Sequence, residues 1–111
     1  MAALTATAPT RAGVATAGTA VSASDTIPVS TMGPRGAYLE IVNGNAASDT
    51  MSISDASVTS SGAAATPLAP VLATTVSRVF KITPDMADAV GNVTVTHSVT
   101  ASVTYKLYPI G

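Results

Sequence analysis

From Asp25 onward the chain alternates apolar and polar side chains with a period of two, which predicts β-strands with one face in a core. The pattern is clearest over residues 25–30, 37–43, 49–54, 76–83 and 93–107. A single apolar core is the simplest way to bury these faces together. The predicted core residues are Leu39, Ile41, Ile53, Phe80, Ile82, Val93, Val95 and Leu107.

The segments "GAYLEIVN" and "DTMSIS" are separated by "NGNAASD", which supplies turn residues. Asn43-Gly44 suits a tight reversal because glycine has no Cβ and asparagine tolerates a positive φ. We therefore predict that the two segments form a hairpin.

The C-terminal run from Val93 to Leu107 keeps its apolar side chains on odd positions throughout. As one straight strand it would be about 50 Å long at about 3.3 Å per residue. A domain of this size has a radius of gyration of about 13 Å. The run must therefore turn, and an odd-numbered loop near Ser98–Thr100 preserves its alternation.

Three segments depart from the strand pattern. Residues 84–90 predict one short helical turn, since Pro84 suits the first helical position and Gly91 the end. Residues 55–75 form a long connection rich in small residues, and such loops are often functional. Pro67 and Leu68 in this loop are candidate partner contacts.

Residues 1–23 contain small apolar and hydroxyl side chains and nothing larger than Leu4 or Arg11. This surface is too small to order the segment on its own. The segment is either a disordered tail or an extended arm that orders against a partner or against the domain edge. Its candidate partner contacts are Thr7, Pro9 and Arg11.

These elements predict an all-β fold, a small single-domain antiparallel β-sandwich or jelly-roll-like barrel of about six to seven strands. The arm would span residues 1–23 and the β domain residues 24–111. The 111 residues suffice for one modest core.

Composition narrows the function classes. Charged residues make up 10% of the chain and the net charge is −1, which argues against a nucleic-acid or membrane partner and permits self-association. There is no cysteine and no segment typical of a secretory signal, so we expect synthesis in a cytoplasm.

Catalytic chemistry has little support in the sequence. His97 is the only histidine and lies in phase with an apolar strand face, where a buried, hydrogen-bonded role is the commoner one. We expect no enzyme activity, no catalytic or metal-binding residues and no cofactor. Arg35, in the "MGPRGA" turn, is a further candidate partner contact, since a guanidinium can bind a carboxylate with two hydrogen bonds.

Four segments resemble the small decoration, or minor capsid, proteins of tailed bacteriophages that infect actinobacteria. The segments are "SDTIPVS", "YLEIVNGNAASDTMSISDA", "RVFKITP" and "GNVTVTHSVTASVTYKLYPIG". The resemblance covers roughly residues 24–111 and consists of strand patterns. It implies a non-enzymatic β domain that binds the major capsid protein on the capsid exterior, stabilises the shell and self-associates, with a trimer favoured.

Two alternatives stay open. A tail-tube or fibre subunit of a phage particle would also be rich in β-strands and would have no catalytic residues. A free carbohydrate-binding β-sandwich is weakened by the absence of tryptophan and by only four aromatic side chains.

Overall fold

The computed structural model describes residues 2–8, 10–13, 18–57, 61–62 and 68–110. Within these residues the chain forms nine β-strands and two short 3₁₀ helices, Val29–Thr31 and Pro84–Met86. The strands are β1 (Ala2–Ala3), β2 (Thr19–Ala20), β3 (Ser24–Pro28), β4 (Ala37–Asn43), β5 (Asp49–Ile53), β6 (Val71–Leu72), β7 (Ser77–Ile82), β8 (Asn92–His97) and β9 (Val103–Pro109).

The strands form two sheets that enclose one apolar core. The five-stranded sheet has the order β1-β3-β8-β5-β6, and the four-stranded sheet has the order β2-β9-β4-β7. All pairs are antiparallel except β1 with β3. The predicted small all-β sandwich is confirmed, and its six strands of five residues or more lie where the alternation predicts them.

The core consists of the side chains that alternation directs inward. Seven of the eight predicted core residues are fully buried, and Met51, Leu72 and Val103 join them. Phe80, the largest predicted core side chain, is only partly buried. It lies on the inner face of β7, the outermost strand of its sheet, so only part of its ring is covered by the core.

The predicted hairpin between residues 37–43 and 49–54 is wrong. β4 lies in the four-stranded sheet and β5 in the five-stranded sheet, so residues 44–48 carry the chain across the sandwich. The cause is visible at Asn43, whose side-chain amide is buried and donates to the carbonyl of Leu72 at 3.0 Å. This bond ties the end of β4 to the edge of the other sheet.

The predicted turn in the C-terminal run is confirmed, and it is also a crossing between sheets. β8 ends at His97 and β9 begins at Val103, and residues 98–102 connect the two sheets. Alternation stays unbroken because His97 and Val103 both point inward from opposite sides of the core.

The predicted helical turn over 84–90 is shorter than expected. Only Pro84–Met86 is a 3₁₀ helix, and Val29–Thr31 is a second one that the strand pattern did not predict. The residues that follow Met86 turn instead around the side chain of Asp88, whose Oδ1 accepts the N–H groups of Val90 and Asn92.

The described part of the arm lies against the edges of its own domain. β1 pairs with β3, the N–H of Thr7 donates to the carbonyl of Leu107 at 2.7 Å, and β2 pairs with β9. The arm thus covers the free side of β9. The described part of the arm contacts the domain edge, and its Leu4 and Val21 are both buried in the core.

We predict that Leu4→Ala lowers the free energy of unfolding by about 2–5 kcal/mol, the usual cost of truncating a buried leucine. Leu4 is 3% exposed, whereas Leu68 is 45% exposed and provides the matched control. Leu68→Ala should change the same quantity by less than about 0.5 kcal/mol. Urea denaturation of the three proteins measures both, and equal midpoints for the two variants would show that the arm does not pack as described.

Candidate interaction surfaces

Among the described residues, four polar side chains are buried, and all lie at one end of the sandwich, the polar end: Asp25, Asn43, Asp49 and His97. The strand registers place them together, because β4 and β8 end here while β3 and β5 begin here. Burying a polar group is costly unless it is hydrogen-bonded. Each of these side chains has at least one hydrogen-bond partner.

The closest contact at the polar end joins His97 to Asp49. The His97 Nδ1 lies 2.7 Å from the Asp49 Oδ2, and both side chains are almost completely buried. The other carboxylate oxygen of Asp49 accepts the N–H groups of Ser98 at 3.0 Å and Val99 at 3.4 Å. Asp49 therefore holds the start of the 98–102 crossing from its own strand.

Asn43, the last residue of β4 in the four-stranded sheet, holds the start of the 44–48 crossing in the same way. Its side-chain amide donates to the carbonyls of Ala47 and Leu72, and its Oδ1 accepts the N–H of Asn45 at 2.9 Å. The Asn45 side chain in turn donates to the carbonyl of Ala101 at 2.8 Å. The two crossings are thereby bonded to each other, so the polar end is a structural network with its hydrogen-bonding groups engaged internally.

The opposite end of the sandwich presents the first exposed apolar surface, the end surface, which consists of Val29, Arg35 and Val90. Val90 is 83% exposed, the highest value among the large apolar side chains that the structure describes. Asp88 fixes its turn through two backbone hydrogen bonds, and Val29 is bonded to the same turn through its N–H and the carbonyl of Gly91 at 2.9 Å.

Arg35 lies at the same end, in a turn that two glycines hold. Gly33 and Gly36 exchange backbone hydrogen bonds of 2.9 and 3.0 Å, and the N–H of Arg35 donates to the carbonyl of Ile110. A Cβ at Gly36 would lie 1.9 Å from the carbonyl oxygen of Ile82, and its φ of +105° also favours glycine. The turn is thus fixed by packing while the Arg35 side chain is exposed.

A second group of exposed apolar side chains, the edge surface, lies on and beside β6 and β7, the outermost strands of the two sheets. Val71 lies on the outer face of one sheet and Val79 on the outer face of the other. The members of the edge surface, Leu68, Val71, Val76 and Val79, are each 38% to 60% exposed, and the partly buried Phe80 follows Val79 in β7. The guanidinium carbon of Arg78 lies 5.3 Å from the centroid of the Phe80 ring, a cation–π distance. Apolar surface exposed along a strand edge is typical of protein contact sites.

The residues predicted as partner contacts do not form one surface. Thr7 lies along β9, whereas Leu68 is bridged to Ile53 in the other sheet. Arg11 is exposed in a turn of the arm. Arg35 belongs to the end surface and Leu68 to the edge surface. Pro9 and Pro67 lie outside the described residues, and the contact role of all six stays a prediction.

Sequence patterns missed the buried carboxylates. Asp25 alternates in step with the buried Ile27, and Asp49 with the buried Met51, on the inner faces of their strands. This shared position in the alternation could have predicted that the two carboxylates are buried. The parity of His97 gave the same signal, and its predicted buried, hydrogen-bonded role is confirmed.

Comparison with protein families, curated proteins and solved structures finds no match. Over the described ranges, no three acidic or histidine side chains lie close enough to share a metal ion. None of the helices in that part of the chain has the length and apolar character needed to cross a membrane.

We predict that Asp49→Ala lowers the free energy of unfolding by at least about 2 kcal/mol, because the N–H groups of Ser98 and Val99 and the buried ring of His97 lose their acceptor. The matched control is Asp85→Ala, since Asp85 is an exposed aspartate and its replacement should cost less than about 0.5 kcal/mol. Chemical denaturation measures both. If the two variants are equally stable, the polar end does not hold the crossings.

Proposed function

We propose that this protein is a non-enzymatic decoration protein that binds the outer surface of an assembled bacteriophage capsid and stabilises it. The strand patterns that resemble this class of protein supply the biological setting. The observation that carries the proposal is that exposed apolar side chains lie both at one end of the sandwich, at Val29 and Val90, and along β6 and β7, at Val71 and Val79. A protein on a lattice needs one surface for the shell and can use a second for a neighbouring copy.

The end surface is the proposed contact with the major capsid protein. Burying a fully exposed valine contributes about 1.5–3 kcal/mol, and Val90 is held in that exposed position by Asp88. Arg35 adds a guanidinium that can bind a carboxylate on the shell with two hydrogen bonds. Both groups lie on turns fixed before binding, so little conformational entropy is lost.

Such a contact is weak for one copy and becomes strong through repetition. A capsid presents the same site many times, and linked copies bind with an avidity that exceeds the affinity of each site. The protein would be made in the host cytoplasm and would reside on the capsid exterior. Binding across capsid subunits would oppose their separation, which is how it would stabilise the shell.

One observation favours a second candidate, a carbohydrate-binding module. Tyr38 and Tyr108 lie directly opposite each other on the outer face of the four-stranded sheet, and Tyr38 is exposed. Two neighbouring aromatic rings offer apolar faces on which a sugar ring can stack. This candidate is tested by titrating the natural chain and the Tyr38→Ala variant with soluble oligosaccharides. If neither protein binds them, the candidate is rejected.

We predict that Val90→Asp reduces the occupancy of the protein on capsids that lack it by about tenfold, which corresponds to the loss of a contact of about 1.4 kcal/mol. Ala101→Asp introduces the same charge on an exposed residue at the opposite, polar end and should leave the occupancy unchanged. Sedimentation of particles incubated with each protein measures the bound fraction. Equal occupancy by the two variants would overturn the end surface as the capsid contact.

Mass spectrometry of purified heads and tails separates the proposal from the tail alternative. Recovery in the head fraction at many copies per particle is expected. Recovery in the tail fraction instead would assign the protein to the tail.

A further inference from the structure

β7 is the outermost strand of the four-stranded sheet, and among the described residues no strand pairs with its second side. The strand is six residues long and mostly exposed. A long unpaired edge presents a row of free N–H and C=O groups and readily pairs with another strand. This row is the structural feature that the capsid-binding proposal leaves unused.

The ladder between β4 and β7 shows which backbone groups point outward. The Asn43 N–H donates to the carbonyl of Val76 at 3.0 Å, and these two residues continue the register of the two strands. Hydrogen-bonded pairs alternate along an antiparallel ladder. The groups of Arg78, Phe80 and Ile82 therefore point toward β4, whereas those of Ser77, Val79 and Lys81 point to the free side.

In the part of the chain that the structure describes, every other strand of five residues or more has a neighbour on both sides. The arm lies along β9, β1 covers part of β3, and the residues from Leu68 to Leu72 run along β5. An edge-to-edge contact between two copies therefore brings β7 against β7. Two identical strands that pair in this way are antiparallel and related by a two-fold axis.

We propose that β7 pairs with β7 of a second copy, with Val79 opposite Val79 on the two-fold axis. In this register Ser77 faces Lys81 of the second copy, and each of the three pairs uses the outward-pointing backbone groups. Each pair exchanges two hydrogen bonds. If the two-fold axis passed through Phe80 instead, only the two pairs of Val79 with Lys81 would use outward-pointing backbone groups within the strand.

The side chains fit the same register. Arg78 and Lys81 are the charged residues of β7, and no like charges lie opposite each other. Arg78 of one copy lies opposite Phe80 of the other, where its guanidinium can stack on the ring as it does within the chain. An inward-pointing charge such as that of Arg78 normally discourages strand pairing. In this register the charge lies opposite the aromatic ring of Phe80 in the second copy. Val79, which is 60% exposed, becomes buried against its own copy.

The dimer rests on the geometry of β7 and not on the capsid-binding proposal. It differs from the trimer that the family resemblance implies, because one self-complementary edge closes after two copies. The end surface is separate from β7 and stays free in the dimer. A pair of copies would therefore present two end surfaces to the shell.

Single cysteines in this cysteine-free chain test the register directly. Paired residues in the hydrogen-bonded positions have Cα atoms about 5.5 Å apart, which is within the range of a disulfide of about 4.4–6.8 Å. In oxidised and reduced glutathione, Val79→Cys should form a covalent dimer at least about tenfold faster than Val90→Cys, because pairing raises the effective thiol concentration. Val90 is more exposed, which makes it a stringent control.

Two further variants fix the partner positions. Ser77→Cys and Lys81→Cys should each stay largely monomeric on non-reducing gels and should link to each other when mixed. Faster linking of Phe80→Cys than of Val79→Cys overturns the proposed register. Equal linking of Val79→Cys and Val90→Cys overturns the pairing.

Sedimentation velocity of the unmodified protein gives an independent readout. It should show a concentration-dependent species of twice the chain mass of 10.9 kDa. Val79→Pro removes one outward N–H without touching the bonds to β4, so the variant should stay folded by circular dichroism and become monomeric. A trimer, or a natural chain that stays monomeric at millimolar concentration, overturns the proposal. Since Val90→Asp leaves β7 intact, it should still dimerise, so failure of capsid binding and failure of dimerisation are distinguishable.

Discussion

One buried hydrogen bond joins two of the connections that carry the chain between the sheets. The crossing over residues 44–48 enters the five-stranded sheet at Asp49, and the crossing over residues 98–102 leaves it at His97. The bond between these two side chains is 2.7 Å long and excluded from water. Without it, the His97 ring would be buried without its hydrogen-bond partner, which is costly inside the sandwich.

The rest of the architecture follows from that arrangement. Once β4 and β5 are placed in different sheets, their odd-numbered side chains face each other across the core. β7 is the outermost strand of its sheet, and β6, which precedes it in the chain, is the outermost strand of the other sheet. The same topology that closes the core thus creates the edge surface. The end surface arises at the opposite end, on turns that Asp88 and Gly36 hold in place.

Alternation in the sequence predicted the strands and their buried faces well, because the period of two depends only on which side of a strand meets the core. It did not predict the partners of each strand. Leu39 and Met51 are in phase whether their strands pair in one sheet or face each other from two. The buried amide of Asn43 decides between these arrangements, and a turn-like "NG" sequence conceals it.

The other differences have the same origin in tertiary context. Phe80 has inward parity, but its position on the last strand leaves part of the ring uncovered. Leu4 has no strand pattern around it, and it is buried because β1 pairs with β3. Neither the end surface nor the edge surface was predicted as a whole, since Val90 and Val79 become exposed only through the turn and strand order around them.

We have proposed that this sandwich binds the outside of a capsid through one end. A cryo-electron microscopy reconstruction of the intact particle tests it most directly. The account predicts density for the β-sandwich on the outer face of the shell, with Val90 and Arg35 directed toward the major capsid protein and the polar end directed away from it. Density for the sandwich in the tail, or a polar end seated on the shell, would contradict the account.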